Sequence, residues 1–484
     1  MEKKEAPNRF KNTEVTVQRQ GTQIVLPSDP FNMTYDEAII ALTKRKEEED
    51  TTVNAHETVD AFPFDGAYAF TKAMAEIYGW ATAVPKKVET FFGVKMIPPV
   101  TVNLEVDYQK FEQIIWGTFS IPGVEGTLET GVTKSSDGRQ VFCIQGETKK
   151  KYQAEVRRLA EKTREIIRRE SVYKGKAIVI SVDANGNADL RNPPKFLDLS
   201  RVNPSELTYS DDLEEQVRTN LFALIEHTDA CRKNQIPLKR GVLLEGPFGT
   251  GKTLAAFVSA VKCKENGWTF IMVDKVSGLK DALAFARQYQ PAVVFAEDID
   301  REVAGGRSVK MDDILNTIDG IDSKGKEVIT VLTSNEVTNI NQAMLRPGRL
   351  DAVIHVSPPD EKAAIKLVRL YARGLLDDAE DLTTAGELLK GMIPAVIREV
   401  VERSKLYALA RSNGADAKLN AAALENAAKG MKHHLDLLYK KTDDDVTAET
   451  RLGKALGEVI VGNGMYPKLD DIKSKVEWVQ KRLQ

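Results

Sequence analysis

At 484 residues with 42% apolar side chains, the chain is long enough for two or three packed domains. The 68 basic and 71 acidic side chains leave a net charge of −3, which excludes a chain-wide electrostatic attraction to an acidic partner. Cys143, Cys231 and Cys263 form no C-x-x-C pair, which argues against disulfides and structural zinc; no apolar run reaches the length of a membrane span, and Met1 to Pro7 lacks the apolar core of a signal peptide, so the chain reads as soluble and cytoplasmic, with no membrane partner.

Residues 1–20 are polar and read as loose. Thr34-Tyr-Asp-Glu37 resembles a capping box opening a helix through Leu42, which ends in the charged run Lys44 to Asp50. A second helix is expected from about Asp65, since Phe70, Met74 and Ile77 share a face. From about 100 to 148, alternating runs such as Val100 to Val106 punctuated by glycine and proline predict a small β-rich unit. A helix over about 149–170 follows, with Tyr152, Val156, Leu159 and Ile166 as its apolar stripe. Nine Lys or Arg stand against three Glu over 149–169, which raises nucleic acid as a partner; a solvated face with acids of a neighbouring subunit nearby is the plainer alternative. Lys176 to Ser181 reads as a strand. The expected division is an α+β domain over 21–190 for client or partner binding, and a linker over 191–204 marked by Pro193, Pro194 and Pro204.

From 205 the pattern alternates helix and strand, as in a parallel sheet covered on both faces; the strands are expected at 242–245, 269–273, 292–296, 328–333 and 353–356. Gly246-Pro-Phe-Gly-Thr-Gly-Lys-Thr253 sits between the first of these and a helix, the context a phosphate-binding loop requires. Glycines let backbone N–H groups turn inward on phosphate oxygens, and the helix N-terminus adds positive potential. Gly246, Pro247, Phe248, Gly249, Thr250, Gly251, Lys252, Thr253 and Leu254 are therefore the expected nucleotide-binding residues. Lys252 can reach the β- and γ-phosphates, and Thr253 can ligate Mg²⁺. Pro291 to Asp300 is an apolar strand running into acids, suited to holding Mg²⁺ and orienting water. After Pro359 the chain reads as helical to its end, with a heptad-like series from Leu469 to Leu483.

Together with Thr333-Ser-Asn335 and Ala343-Met-Leu-Arg-Pro-Gly-Arg-Leu-Asp351, these motifs fall in the order and spacing of AAA ATPases, over about 205–435. The resemblance implies an α/β P-loop AAA core over 205–360, an α-helical lid over 361–440 and a C-terminal helical extension over 441–484. It implies Glu297 as the metal-associated acid with Thr253, Asp298 as the catalytic acid, Asn335 as the sensor, and Arg346 and Arg349 as fingers reaching a neighbouring subunit's site. It also implies a homo-oligomeric ring, usually of six, since an arginine serving the next protomer needs a head-to-tail arrangement. The whole-chain arrangement resembles actinobacterial and phage AAA proteins of unassigned role.

Several positions depart from the family. The acids read Glu-Asp where Asp-Glu is usual, an order shared with mitochondrial AAA proteins that assemble respiratory complexes. Asp274-Lys-Val-Ser-Gly-Leu279 has no pore-loop aromatic, so Lys275 and Val276 stand as alternatives to a plain connecting loop. Arg301 to Lys310 falls at the second pore loop, and Asn341 replaces an Asp. In the lid, Gly391-Met-Ile-Pro-Ala395 replaces a Gly-Phe-Ser-Gly-Ala stretch that contacts nucleotide, and Leu207 to Asp212 lies where an adenine-contacting segment is expected. The leading reading is a ring-forming Mg²⁺-dependent ATPase that remodels a protein client. The alternatives are a nucleic-acid-handling ATPase, such as a loader or a replication or recombination accessory, and a weakly hydrolysing nucleotide-gated scaffold.

Overall fold

A computed structural model of the chain describes residues 18–439 apart from 21–22, 26–34, 80–83, 92, 98–99, 137, 183–191, 300–326, 336–349 and 412–417. Helix α1 (Tyr35–Glu49) leads into β1 (Thr52–Val59), and α2 (Pro63–Tyr78) follows. Proline suits the first position of α2, where its missing N–H has no helical partner in any case; Gly79 closes the helix at φ 76°. Strands β2 (Thr101–Asp107) and β3 (Lys110–Ile115) pair as a hairpin. Strands β4 (Thr118–Phe119), β5 (Gly126–Lys134) and β6 (Gln140–Lys149) join β1 in an antiparallel sheet of order β1-β6-β5-β4. Helix α3 (Gln153–Glu170) packs against α2 and β1. The helices and the β-rich stretch lie where the periodicity puts them; β1 is among the strands the periodicity misses, because only Ala55 and Val59 of its eight residues are buried.

The second sheet carries the core. Its strands are β7 (Ala177–Ile180), β8 (Lys195–Phe196), β9 (Arg240–Glu245), β10 (Thr269–Val273), β11 (Ala292–Ala296), β12 (Val328–Ser334) and β13 (Ala352–His355), in the order β8-β7-β10-β11-β12-β9-β13. All neighbours run parallel except β8 on β7. Helices α4 (Asp211–Val217), α5 (Lys252–Glu265) and α6 (Leu279–Ala286) pack around it. Helices α7 (Glu361–Ala372), α8 (Thr383–Leu389), α9 (Pro394–Arg411) and α10 (Ala421–Tyr439) enclose a separate core around Leu367, Leu389, Val400 and Leu424.

All five strands expected after 205 are present, but the placing of the first domain boundary needs correcting. Strand β7, assigned by sequence order to residues 21–190, pairs in parallel with β10, and β8 falls inside the stretch read as a linker. An apolar run such as Ala177 to Ile180 signals a buried strand but does not say which sheet receives it. The prolines nearby stiffen the connection rather than mark a domain edge.

The N-terminal unit shares one apolar core with the face of the sheet that α6 covers. The Phe62 and Phe285 rings lie 5.1 Å apart, and those of Tyr173 and Phe285 5.7 Å. The Tyr289 hydroxyl accepts the Phe62 backbone N–H at 3.1 Å and donates to Asp65 in the first turn of α2. Fully buried Asp65 also accepts from the Val172 N–H at 2.8 Å and the Ser171 hydroxyl at 2.7 Å.

Burial pushes the Asp65 carboxyl up to about 6, against the three donors, which favour its charged form. A raised acid binds its proton more tightly folded than unfolded, so stability is greatest in acid and falls as pH rises from about 4 to about 6. The full swing is about 3 kcal/mol. Urea unfolding of the wild type and of Asp65→Asn at pH 5 and pH 7 checks this. The wild type should lose about 1 kcal/mol more than the variant over that interval. Equal losses would show that Asp65 carries no folding-linked proton.

Candidate active site

The site forms at the carboxyl ends of three adjacent strands. The β9–β12 register sets Glu245 opposite Ser334, and the Gly246 N–H donates to the Ser334 carbonyl at 3.1 Å. The β11–β12 register sets Ala296 opposite Leu332. The phosphate loop, the acids after β11 and Asn335 after β12 therefore meet at one rim, the place where parallel α/β sheets bind ligands.

In the loop, Gly246, Gly249 and Gly251 have φ of 148°, 77° and 100°, conformations L side chains rarely adopt. A Cβ on Gly246 would stand 2.3 Å from the Val356 carbonyl oxygen, so that approach admits only glycine. Helix α5 begins at Lys252, directing its first N–H groups toward the loop. The Lys252 ammonium is buried and donates to the carbonyls of Gly246 at 2.6 Å and Pro247 at 2.8 Å; the Thr250 hydroxyl donates to the Pro247 carbonyl at 2.9 Å. Pro247, Phe248, Gly249 and Thr253 are exposed, while Leu254 is half-buried against the core.

The two acids have different surroundings. Oε1 of Glu297 is buried and takes no hydrogen bond from the described residues. An anionic oxygen so placed is matched by a cation or its bound water, which fits Mg²⁺ held by Glu297 and Thr253. Oδ1 of Asp298 instead accepts from the Asn335 amide at 2.9 Å, and the Asp298 backbone N–H donates to the Thr333 hydroxyl at 3.0 Å. Asp298 has φ 50°, one of four non-glycine residues in the left-handed region among those described.

Two neighbours of the loop come from the segments that depart from the family pattern. Tyr209 is buried and its hydroxyl donates to the Gly251 carbonyl at 3.2 Å. Burial pushes that phenol above its ordinary range. A Cβ on Gly249 would lie 2.8 Å from Cδ1 of Ile393, so the lid stretch reaches the loop despite Pro394, which occupies the first position of α9. Tyr209 lies in the segment anticipated near adenine, and Ile393 in the Gly391–Ala395 stretch that stands where the family contacts nucleotide.

Arg346, Arg349, Asn341, residues 301–310 and the extension over 441–484 lie outside the described residues. The end of the arginine-bearing motif is described. Asp351 clamps Gly241 at the far end of the P-loop strand, accepting its N–H at 2.9 Å and donating its own N–H to the Gly241 carbonyl at 2.8 Å. Val276 is buried in the core, which removes it as a pore-lining side chain; Lys275 is exposed. The basic helix meets acids of its own chain: Arg164 with Glu57 at 3.3 Å, Lys162 with Glu76 at 3.1 Å and Arg169 with Glu76 at 2.5 Å. Among the described residues no cluster of His, Cys, Asp or Glu is arranged to hold a metal by itself, and no helix is long and apolar enough to cross a membrane. The three cysteines are free and buried.

Residues 242–358 match the family described as "ATPase family associated with various cellular activities (AAA)". The chain carries an AAA ATPase domain. Around it, the chain is 29% identical over 276 residues to the "Probable 26S proteasome regulatory subunit 10B" of Caenorhabditis elegans, an overlap of 51% of this chain and 67% of that protein. It is 27% identical over 240 residues to "26S proteasome regulatory subunit 10B homolog A" of Arabidopsis thaliana, covering 45% and 60%. The matched AAA residues include the phosphate loop, both acids, Asn335 and the arginine-bearing motif, while α9 and Ile393 lie beyond them.

Proposed function

We propose that the chain is a Mg²⁺-dependent ATPase that assembles head to tail into a ring of six and remodels a protein client. The observation that carries this is the division between adjacent acids. Glu297 presents an unpartnered buried oxygen, as a metal-associated acid should, and Asp298 is held by Asn335, as a water-orienting acid should be. Bound Mg²⁺ supplies charge neutralisation on the phosphates. Lys252 binds and orients the β- and γ-phosphates, Thr253 and Glu297 hold the metal, Asp298 takes the proton of the attacking water, and Asn335 fixes that carboxylate. Arg346 and Arg349 complete the site of the adjoining protomer.

The curated relatives are named as 26S proteasome regulatory subunits, which fits a protein client. The core shared between the N-terminal unit and α6 fits transmission of motion from the site to a client held by that unit. Salt-bridged basic side chains on α3 do not favour nucleic acid, because their charge is already met.

A shared site has a direct test. Lys252→Ala and the double variant Arg346→Ala, Arg349→Ala should each hydrolyse little ATP alone. Mixed and reassembled at equal amounts, about a quarter of the interfaces should pair an intact loop with intact arginines and recover turnover. A mixture as silent as its parts sinks the ring with shared sites.

A further inference from the structure

Asp298 bears a Cβ yet sits in the left-handed region, and its peptide N–H is hydrogen-bonded to the neighbouring strand. The Asp298 N–H donates to the hydroxyl of Thr333 on β12 at 3.0 Å, and Thr333 is buried at 1% exposure. Two residues on, Asn335 donates to the Asp298 carboxylate at 2.9 Å. The end of β12 and the residue that follows it thus grip Asp298 twice, at the backbone through Thr333 and at the carboxylate through Asn335.

The two contacts perform different tasks. A side-chain amide can pair with any carboxylate within reach, and does not fix the backbone from which that carboxylate hangs. Aspartate has one methylene less than glutamate and fewer rotamers with which to search. Its carboxylate position therefore follows its backbone conformation closely. A left-handed residue stays so only when its surroundings impose it. Of the contacts described here, the Thr333 hydroxyl is the one placed to act on the peptide itself.

We propose that Thr333 is the positioning residue for Asp298: its hydroxyl holds the 297–298 peptide in the turn that aims the short carboxylate at Asn335 and the attacking water. The inference rests on the ATPase reading and assigns Thr333 no contact with nucleotide. It also explains how a chain with Asp at this place keeps a usable base: the turn, rather than side-chain length, sets the carboxylate's position.

The test uses the full-length chain and three variants. Thr333→Val keeps the shape and removes the hydroxyl; it should lower kcat about tenfold while the Kd for a non-hydrolysable ATP analogue stays within about twofold. Thr333→Ser keeps the hydroxyl and should retain kcat within about threefold. In an Asp298→Asn background, Thr333→Val should change the residual rate by less than about twofold, because no base remains to be aimed. Should the valine variant fail to fold, Thr333→Ala carries the same kinetic test. Unchanged kcat in the valine or alanine variant overturns the assignment while leaving the ATPase reading standing. A tenfold loss in the serine variant, or a parallel loss of analogue binding in the valine variant, also overturns it by showing a structural role. A wild-type chain with no turnover removes both.

Discussion

Asp298→Asn lowers turnover at saturating ATP by about 10³-fold and leaves nucleotide affinity within about twofold. The substitution is close to isosteric. Asparagine tolerates the left-handed region at least as well as aspartate, so the φ of 50° is no obstacle. Its backbone N–H still donates to Thr333, and its side-chain oxygen can still accept from Asn335. What disappears is the ability to take a proton from water as the phosphoryl group is attacked. General-base catalysis is worth about 10² to 10⁴ in rate, and the prediction sits mid-range because Asn335 and the loop remain. Steady-state turnover and binding of a non-hydrolysable analogue, measured on the same preparation, separate the two quantities. If the variant instead keeps turnover within threefold, the base is Glu297, and the unpartnered oxygen of that residue needs another account. Glu297→Gln supplies the contrast: it should raise the Mg²⁺ concentration needed for half-maximal turnover, a dependence that Asp298→Asn should leave alone.

Much of this site is legible in the sequence, for reasons that differ by residue. The phosphate loop is legible because its chemistry is local: glycines that must reach positive φ, and a Lys and Thr at the helix start, occupy consecutive positions. The acids are legible because they end an apolar strand. Their separate environments are not, since the Asp298–Asn335 contact spans 37 positions and depends on β11 and β12 being neighbours in register. In the sequence Thr333 stands only as part of a motif; its hydroxyl matters because of where the Asp298 peptide turns. The segment of Ile393 is legible by its place in the chain, but the residue that makes the contact is not. Its segment departs from the family pattern at Pro394, yet the contact it makes needs only bulk near Gly249. At the level of domains, periodicity identifies strand β7 but not its sheet. Parallel pairing with β10 joins segments about 90 residues apart, and no local signal records such a partnership.

Lys252→Ala should weaken nucleotide binding by about 10²-fold, about 2.7 kcal/mol, through loss of a charge-assisted contact to the phosphates. The structure adds a complication that shapes the test. Lys252 is 7% exposed and its ammonium holds the carbonyls of Gly246 and Pro247, so it also braces the loop. Removing it frees those carbonyls, and Pro247 is exposed, so water can replace part of what is lost. The cost to the unliganded fold should therefore stay near 1 kcal/mol. Lys252→Met separates bracing by charge from packing by the aliphatic stem, since it keeps bulk and loses the ammonium. Both variants should unfold close to the wild type without nucleotide. They should part from it with nucleotide present. At a hundred times its Kd, a ligand stabilises the folded state by about 2.7 kcal/mol, and a hundredfold weaker site at the same concentration gains only about 0.4 kcal/mol. A methionine variant stabilised by nucleotide as strongly as the wild type would mean that the phosphates are held by the loop's N–H groups and the start of α5, with the ammonium serving the loop alone.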